Sequence, residues 1–322
     1  MSLSTIRGAY PCGVNGEPRP SDERPVIAVL GTGRWGVNLV REFTAAGASV
    51  VAVDPDSDAR RRALGAGAGV ATARLDRSVD AVVVSTPASI HEQTLGELTT
   101  LDVPVACEKP LAPSSAAAER IAAEWGDRLV VFHVWRHHPA VTTMAGVIAS
   151  GDLGPVTAIR STRTNWTSPR FDVDPIWTLA PHDLSIALAL FGTVPDVVAA
   201  STETIGGRVV AALAHLESDD TPTFVLDVST REPERTRRLV VSGTDGVAVW
   251  TERRPGIVRI ARGTDTDPLS EDIPLDPTSA LRRQADAFVE RVRNGTTMPS
   301  TPADAVTIAT RVEQIIRLGA TT

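Results

Sequence analysis

The stretch Val26-Ile-Ala-Val-Leu-Gly-Thr-Gly-Arg-Trp-Gly36 decides the fold. Its first five residues are an apolar, largely β-branched run between Pro25 and Gly31, the pattern of a strand buried on both faces. Residues 34–46 then carry Trp35, Leu39, Val40 and Phe43 at helical spacing, and Gly47 is a natural helix stop. Between strand and helix, Gly31, Gly33 and Gly36 fill a G-x-G-x-x-G pattern. In that context the pattern reads as the fingerprint of a dinucleotide-binding turn. Gly31 permits the tight turn, Gly33 lets the backbone approach a pyrophosphate, and Gly36 lets the helix pack close to the strand. Phosphate charge would meet the free amides and positive dipole end of the helix. Thr32, Arg34 and Trp35 complete the cofactor-binding loop.

Working outward, Ser49-Val-Val-Ala-Val53 is a second buried strand, and Asp54 ends it, 21 residues after Gly33. A carboxylate there accepts hydrogen bonds from the adenosine ribose hydroxyls and repels a 2′-phosphate, which favours NAD over NADP. Arg60, Arg61 and Arg62 on the next helix are cations of the kind that neutralise such a phosphate, so NADP stays open as the lesser choice. Against it, Pro55 and Asp56 follow Asp54 directly, where an NADP site more often offers a small polar or basic residue. Further strands at 81–84, 103–106 and 129–132 alternate with helices at 56–66, 90–100 and 113–125. Short apolar strands alternating with amphipathic helices predict a parallel sheet with right-handed crossovers, a doubly wound Rossmann domain over residues 25–135. Thr86 and Pro87 end a strand at the carboxyl edge where ligands bind, and His91 opens the next helix, packing under the cofactor.

The pattern changes after residue 135. A helix at 139–150 is followed by strands at 155–164, 207–216, 222–230, 236–242, 247–251 and 256–262, with helices at 174–191, 278–293 and 302–318. Phe224, Leu226 and Val228 alternate with Thr223, Val225 and Asp227, as in a sheet with one exposed face. Residues 136–322 therefore form an α+β domain with an open, mostly antiparallel sheet, whose last helix is expected to pack back on the Rossmann domain. Residues 1–24, rich in glycine and proline, read as a flexible extension.

Composition sets outer limits. The chain has 322 residues and a net charge of −7. That suits a cytoplasmic protein and argues against nucleic acid or an anionic membrane as partner. No apolar run approaches the roughly 18–20 residues that span a bilayer. Cys12 and Cys107 are too few for a disulfide framework or a zinc cluster, and no metal site is expected.

At Glu108-Lys109-Pro110 the sequence acquires a resemblance. The glycine-rich turn, Ser85-Thr-Pro87, His91, Glu108-Lys-Pro110 and Pro181-His-Asp183 together resemble the glucose–fructose oxidoreductase, inositol dehydrogenase and rhizopine-catabolism (Gfo/Idh/MocA) family, over nearly all the chain after residue 25. The resemblance implies a Rossmann domain followed by an open-sheet domain that mediates homodimers or homotetramers. It implies hydride transfer between a nicotinamide and a carbinol of a sugar, cyclitol or sugar nucleotide. It places Glu108 and Lys109 at the cofactor, with Lys109 on the reacting oxygen and His182 moving the proton, and it implies a cis Lys109–Pro110 peptide.

The chemistry fits these residue types. Histidine begins near pKa 6.5, and a lysine cation steadies charge developing on an alcohol oxygen. The bland readings are a surface lysine after a strand and a structural histidine. Relatives carry an aspartate four residues before this histidine, where this chain has Thr178. Thr178 and His182, with Arg136, Arg163, Asn165, Trp166 and Arg170, are the substrate-binding set, Trp166 stacking on a ring. The alternative for that loop is an exposed polar segment with a core tryptophan. Two rival functions remain: a keto-sugar-nucleotide ketoreductase using NADPH, and a non-catalytic dinucleotide-binding sensor or assembly protein.

Overall fold

The computed structural model describes residues 24–166, 173–264 and 267–320. The extension expected over 1–24, except Arg24, lies outside the described residues, as do Cys12 and Arg170. The chain forms two compact units. The first joins the described residues up to Phe132 with Leu281–Val306, and the second joins His133–Ala280 with the residues from Thr307 onward.

In the first unit, β1 (Val26–Leu30), β2 (Ser49–Val53), β3 (Val70–Thr72), β4 (Ala81–Val84), β5 (Val105–Glu108) and β6 (Leu129–Phe132) form a parallel sheet in the order β3-β2-β1-β4-β5-β6. The crossovers include α1 (Gly36–Ala45), α2 (Ser57–Gly65), α3 (His91–Gly96) and α4 (Ser115–Trp125). β4, β5 and β6 are buried throughout, as continuous apolar runs between helical layers should be. Strand order reverses between β1 and β4, which opens a crevice at their carboxyl ends. The strand expected at 103–106 lies at 105–108, because Pro104 has no N–H to give a neighbour. Lys109 therefore follows the strand directly.

The core of this unit is closed from far along the sequence. Phe288 of α7 (Ala280–Asn294) meets Phe43 and Phe132 edge-on, at 5.9 and 5.4 Å between ring centroids. Ala285, Phe288 and Val289 lie at i, i+3 and i+4, the stripe a helix presents to a core. The helix that joins the Rossmann unit is thus α7, the last but one. α8 (Pro302–Gly319) passes into the second unit at Thr307.

The second unit is built on an eight-stranded sheet. Its strands are β7 (Val156–Thr164), β8 (Asp196–Ile205), β9 (Arg208–Ser218), β10 (Thr221–Ser229), β11 (Thr236–Gly243), β12 (Gly246–Thr251), β13 (Ile257–Thr264) and β14 (Asp267–Pro274). They are ordered β14-β13-β12-β11-β7-β10-β9-β8 and antiparallel except for β7 with β10. α5 (Pro139–Ser150) packs on β13, and α6 (Pro175–Phe191) crosses β7, β9 and β10. Phe224, Leu226 and Val228 are buried, whereas Leu213 and Val198 are about half exposed, so one sheet face is covered and the other open. Among the described residues no helix is long and apolar enough to cross a membrane.

Candidate functional site

The glycine turn sits at the strand-order reversal. Gly31 has φ +85°, and a Cβ there would lie 2.7 Å from the Ser85 carbonyl oxygen at the end of β4. A Cβ on Gly36 would lie 2.0 Å from the Gly31 oxygen. Both positions exclude any side chain, for conformation in the first case and contact in both. A Cβ on Gly33 would meet nothing within 4 Å, so the turn opens outward there. Trp35, preceding α1, gives no side-chain cap, and in the first turn the Val37 and Asn38 amides donate back to the Gly33 and Trp35 oxygens at 3.1 and 2.8 Å. The buried hydroxyls of Ser85 and Thr86 have no hydrogen-bond partner among the described residues. A glycine cradle and two orphaned hydroxyls at one sheet edge fit a bound dinucleotide.

Asp54 closes the far side of the turn. Its Oδ2 accepts the Thr32 N–H at 2.7 Å and its Oδ1 the Asp56 N–H at 2.9 Å. The nearby arginines are all engaged. Arg60 Nη1 donates to the Asp54 and Pro55 carbonyls at 2.8 and 2.9 Å. Arg61 pairs with Asp58, and Arg62 lies 3.9 Å from Asp56.

Glu108 ends β5 at the same carboxyl edge and Lys109 follows it, and both are buried. Glu108 Oε1 accepts the Trp35 indole N–H at 2.6 Å, and its Oε2 takes the Lys109 amide at 3.3 Å. Glu108 thereby ties the glycine loop to the strand that presents Lys109. The Lys109–Pro110 peptide is cis. His91 is fully buried, with Nδ1 3.0 Å from the Pro110 oxygen and 3.2 Å from that of Leu111. Its Nε2 is 2.9 Å from the Thr86 oxygen, so the ring straps the end of β4 to the segment after Lys109. Pro87 begins the short turn that leads to His91. Arg34 lies at the exposed crest of the loop.

In the second unit, α6 starts on Pro175 and carries Pro181 inside it, immediately before His182. The His182 imidazole meets the Trp135 indole edge-on, with centroids 6.5 Å apart. Trp135 also stacks on His138 at 4.5 Å and meets Trp250 at 5.6 Å. The next residue on α6, Asp183, is fully buried. It accepts from Arg163 Nε at 2.6 Å, Arg163 Nη2 at 3.0 Å and Ser161 Oγ at 2.6 Å. The Arg163 guanidinium lies 4.2 Å over the Trp135 ring. Arg237 faces Arg163 across the β7–β11 ladder, and burial together with that neighbouring cation pushes its pKa down to about 10.

The other expected substrate residues fall at different places in this unit. The Thr178 hydroxyl donates to the Pro175 oxygen at 2.7 Å, inside the helix. The Asn165 backbone N–H donates to the Ser229 carbonyl at 2.9 Å. Trp166 is half exposed under the Arg231 guanidinium, 4.7 Å from its centroid. Arg136 belongs to the short helical turn Val134–His137 that carries Trp135. Sequence reading passed over Trp135 and Ser161 and gave Asp183 no partner. One signal was available. Ile159, Ser161 and Arg163 share the inward face of β7, and polar residues at buried alternate positions need a buried partner.

Comparison with known proteins agrees with this geometry. Residues 26–135 match a family model described as an oxidoreductase family with an NAD-binding Rossmann fold. Residues 141–249 match the GFO/IDH/MocA C-terminal domain. The chain is 26% identical over 318 residues to D-xylose 1-dehydrogenase (NADP(+)) 2 of Haloferax volcanii, covering 90% of this chain and 96% of that protein. It is 34% identical over 218 residues to inositol 2-dehydrogenase 2 of Saccharopolyspora erythraea, covering 62% of each, so that match leaves over a third of the relative's length unmatched. In fold it is similar to levoglucosan dehydrogenase solved with NADH and levoglucosan, with TM-score 0.81 and 16% identity over 93% of this chain and 98% of that one. UDP-N-acetylglucosamine 3-dehydrogenase of Acidithiobacillus ferrooxidans gives TM-score 0.79 and 21% identity over 92% and 99%. Fold, glycine turn and both family matches lead to one assignment: the chain belongs to the GFO/IDH/MocA family of oxidoreductases, with residues 26–135 as its NAD-binding Rossmann domain.

Proposed function

We propose that the protein is an NAD-dependent dehydrogenase that oxidises a secondary hydroxyl of a sugar, cyclitol or sugar nucleotide. The observation that carries the cofactor preference is the Asp54 carboxylate, buried at the end of β2 and bonded to the Thr32 amide at 2.7 Å. The engagement of Arg60, Arg61 and Arg62 with acceptors of their own supports the same preference. The named activities of the D-xylose and inositol relatives support a polyol as substrate.

A nicotinamide, when bound, supplies the hydride acceptor for the carbinol carbon. Lys109 steadies the substrate oxygen as its negative charge develops. His182 takes the hydroxyl proton, a task suited to an imidazole near neutral pH. Glu108 holds the loop and Lys109 in register. Arg136 and Trp166 are proposed for the sugar, and the open sheet face for a homodimer or homotetramer, which light scattering at micromolar concentration tests.

The assay is absorbance at the reduced-nicotinamide band, with NAD and then NADP, against D-xylose, myo-inositol and UDP-linked sugars. Lys109→Ala should keep its affinity for NADH and lose about 100–1,000-fold in turnover, as when one oxyanion donor is removed. Unchanged turnover would remove Lys109 from the reaction. A second reading rests on Thr178, whose hydroxyl is directed to the Pro175 oxygen and supplies no carboxylate beside His182. Silence across the panel, with calorimetric NAD binding intact, would favour a ketoreductase or a non-catalytic role.

A further inference from the structure

We infer that Asp183 and Arg163 are positioning residues that fix the orientation of the His182 imidazole, with Ser161 and Trp135 completing the brace. The assignment of a proton to His182 rests on the function proposed above; the brace itself rests on geometry alone.

The need for it lies in Pro181. A proline inside a helix cannot donate to the carbonyl four residues back, and its ring crowds that carbonyl. Here the carbonyl is that of Trp177, so the helix loses a ladder bond immediately before His182. At such a site a helix kinks, and the direction of the following side chain is no longer set by the helix alone. Asp183 restores the constraint from the other side. Its carboxylate is held to β7 by Arg163 at 2.6 and 3.0 Å and by Ser161 at 2.6 Å. Successive helix residues differ by about 100° in azimuth, so pinning residue 183 to the sheet sets where the Cα–Cβ bond of residue 182 points.

The brace closes through the ring. Arg163 lies 4.2 Å over Trp135, and the same indole, which also packs on His138 and Trp250, meets the His182 imidazole edge-on at 61°. The Ser185 hydroxyl donates to the His182 carbonyl at 2.6 Å and secures the turn that follows. The Arg163–Asp183 pair has side-chain exposures of 4% and 1%. The two charges answer each other in a fork-on-carboxylate geometry, which is directional. This gives Arg163 a task inside the protein instead of at the substrate.

The test uses the full chain with ring-labelled histidine, following the His182 Cε1–H resonance, which is assigned by its loss in His182→Gln. The wild type should give one sharp His182 line. Asp183→Asn and Arg163→Lys should broaden or split it and leave the lines of His91 and His215, which take no part in the brace, in place. If Asp183→Asn does not fold, Ser161→Ala removes one of the three bonds, keeps the ion pair, and should give the same effect in weaker form. On whichever of D-xylose, myo-inositol or UDP-N-acetylglucosamine the wild type oxidises, Asp183→Asn should lower kcat by about 100-fold with KM little changed, the size expected of a misplacement near 1 Å. Lower melting temperature with an unaltered His182 line would make the pair purely structural and overturn the inference. Unchanged turnover in His182→Gln would instead refute the proton assignment, while the resonance still decides the brace.

Discussion

Asp54→Ala should move the cofactor preference from NAD toward NADP by about 100–1,000-fold, roughly 3–4 kcal/mol. A carboxylate offers about four lone-pair directions. The Thr32 and Asp56 amides occupy two of them, at 2.7 and 2.9 Å. The Thr32 hydroxyl makes a long contact with Oδ2 at 3.5 Å, and a ribose diol would displace it to take the remaining directions. A hydrogen bond to a charged acceptor contributes about 1.5–3 kcal/mol, and since both cofactors carry the 3′-hydroxyl, alanine removes only the 2′-hydroxyl bond from NAD alone. On the NADP side, a phosphate charge about 5 Å from the carboxylate is repelled by about 3 kcal/mol per unit charge at an effective dielectric near 20, before salt screening. Alanine also orphans the buried Thr32 amide, which costs about 1–3 kcal/mol. That loss falls on both cofactors and cancels in their ratio. The measurement is therefore kcat/KM with NAD divided by kcat/KM with NADP, wild type against variant, supported by calorimetric Kd values. A ratio that moves by less than tenfold would refute the reasoning and place the specificity elsewhere in the site.

Three further outcomes are expected. Gly36→Ala puts a Cβ 2.0 Å from the Gly31 oxygen, so the turn must open; NADH affinity by calorimetry should fall at least about 100-fold, in line with the geometric precision such sites need. His91→Leu removes the ring whose two nitrogens face the Thr86 and Pro110 oxygens, and should cost about 1–3 kcal/mol for the carbonyl left without its donor, seen as a fall in Tm of roughly 2–10 °C. Asp227 lies on β10, and burial, with smaller contributions from Glu232 and Asp183, holds its carboxyl above the usual carboxylate range. A carboxyl raised in the folded state contributes stability at low pH that is lost as pH rises through the folded value. Asp227→Asn should therefore raise Tm at pH 7 and have little effect at pH 3; an equal shift at both would show that charge is not the cause.

The sequence disclosed what repetition and pairing make loud. β1, β2, β4 and β6 were readable because strands buried on both faces are apolar runs, and the glycine turn because steric exclusion at Gly31 and Gly36 leaves no choice of residue. The strands that escaped were β3, β8 and β14, and each is a sheet edge. An edge strand is held by hydrogen bonds to one neighbour and shows no strong alternation. Asp196–Ile205 is largely exposed, and Asp267–Pro274 has the sequence DPLSEDIP, so neither carries a burial signal. The first-unit site residues share one sheet edge and were legible together. The partnership of Asp183 with Arg163 was not, because it depends on which face of β7 meets which face of α6, a register that spacing alone does not specify.

The return of α7 bears on how the molecule is made. Phe43 and Phe132 leave the ribosome early, but the aromatic ring that closes over them belongs to Phe288. At about 5–20 residues per second, synthesis of residues 133–280 takes roughly 7–30 s. Throughout that interval the nascent Rossmann unit has an unfilled place in its core, and the intervening chain has time to fold first. A fragment ending near residue 132 should inherit that gap permanently, so the dinucleotide site is not a portable module that can be cut out at the end of its sheet.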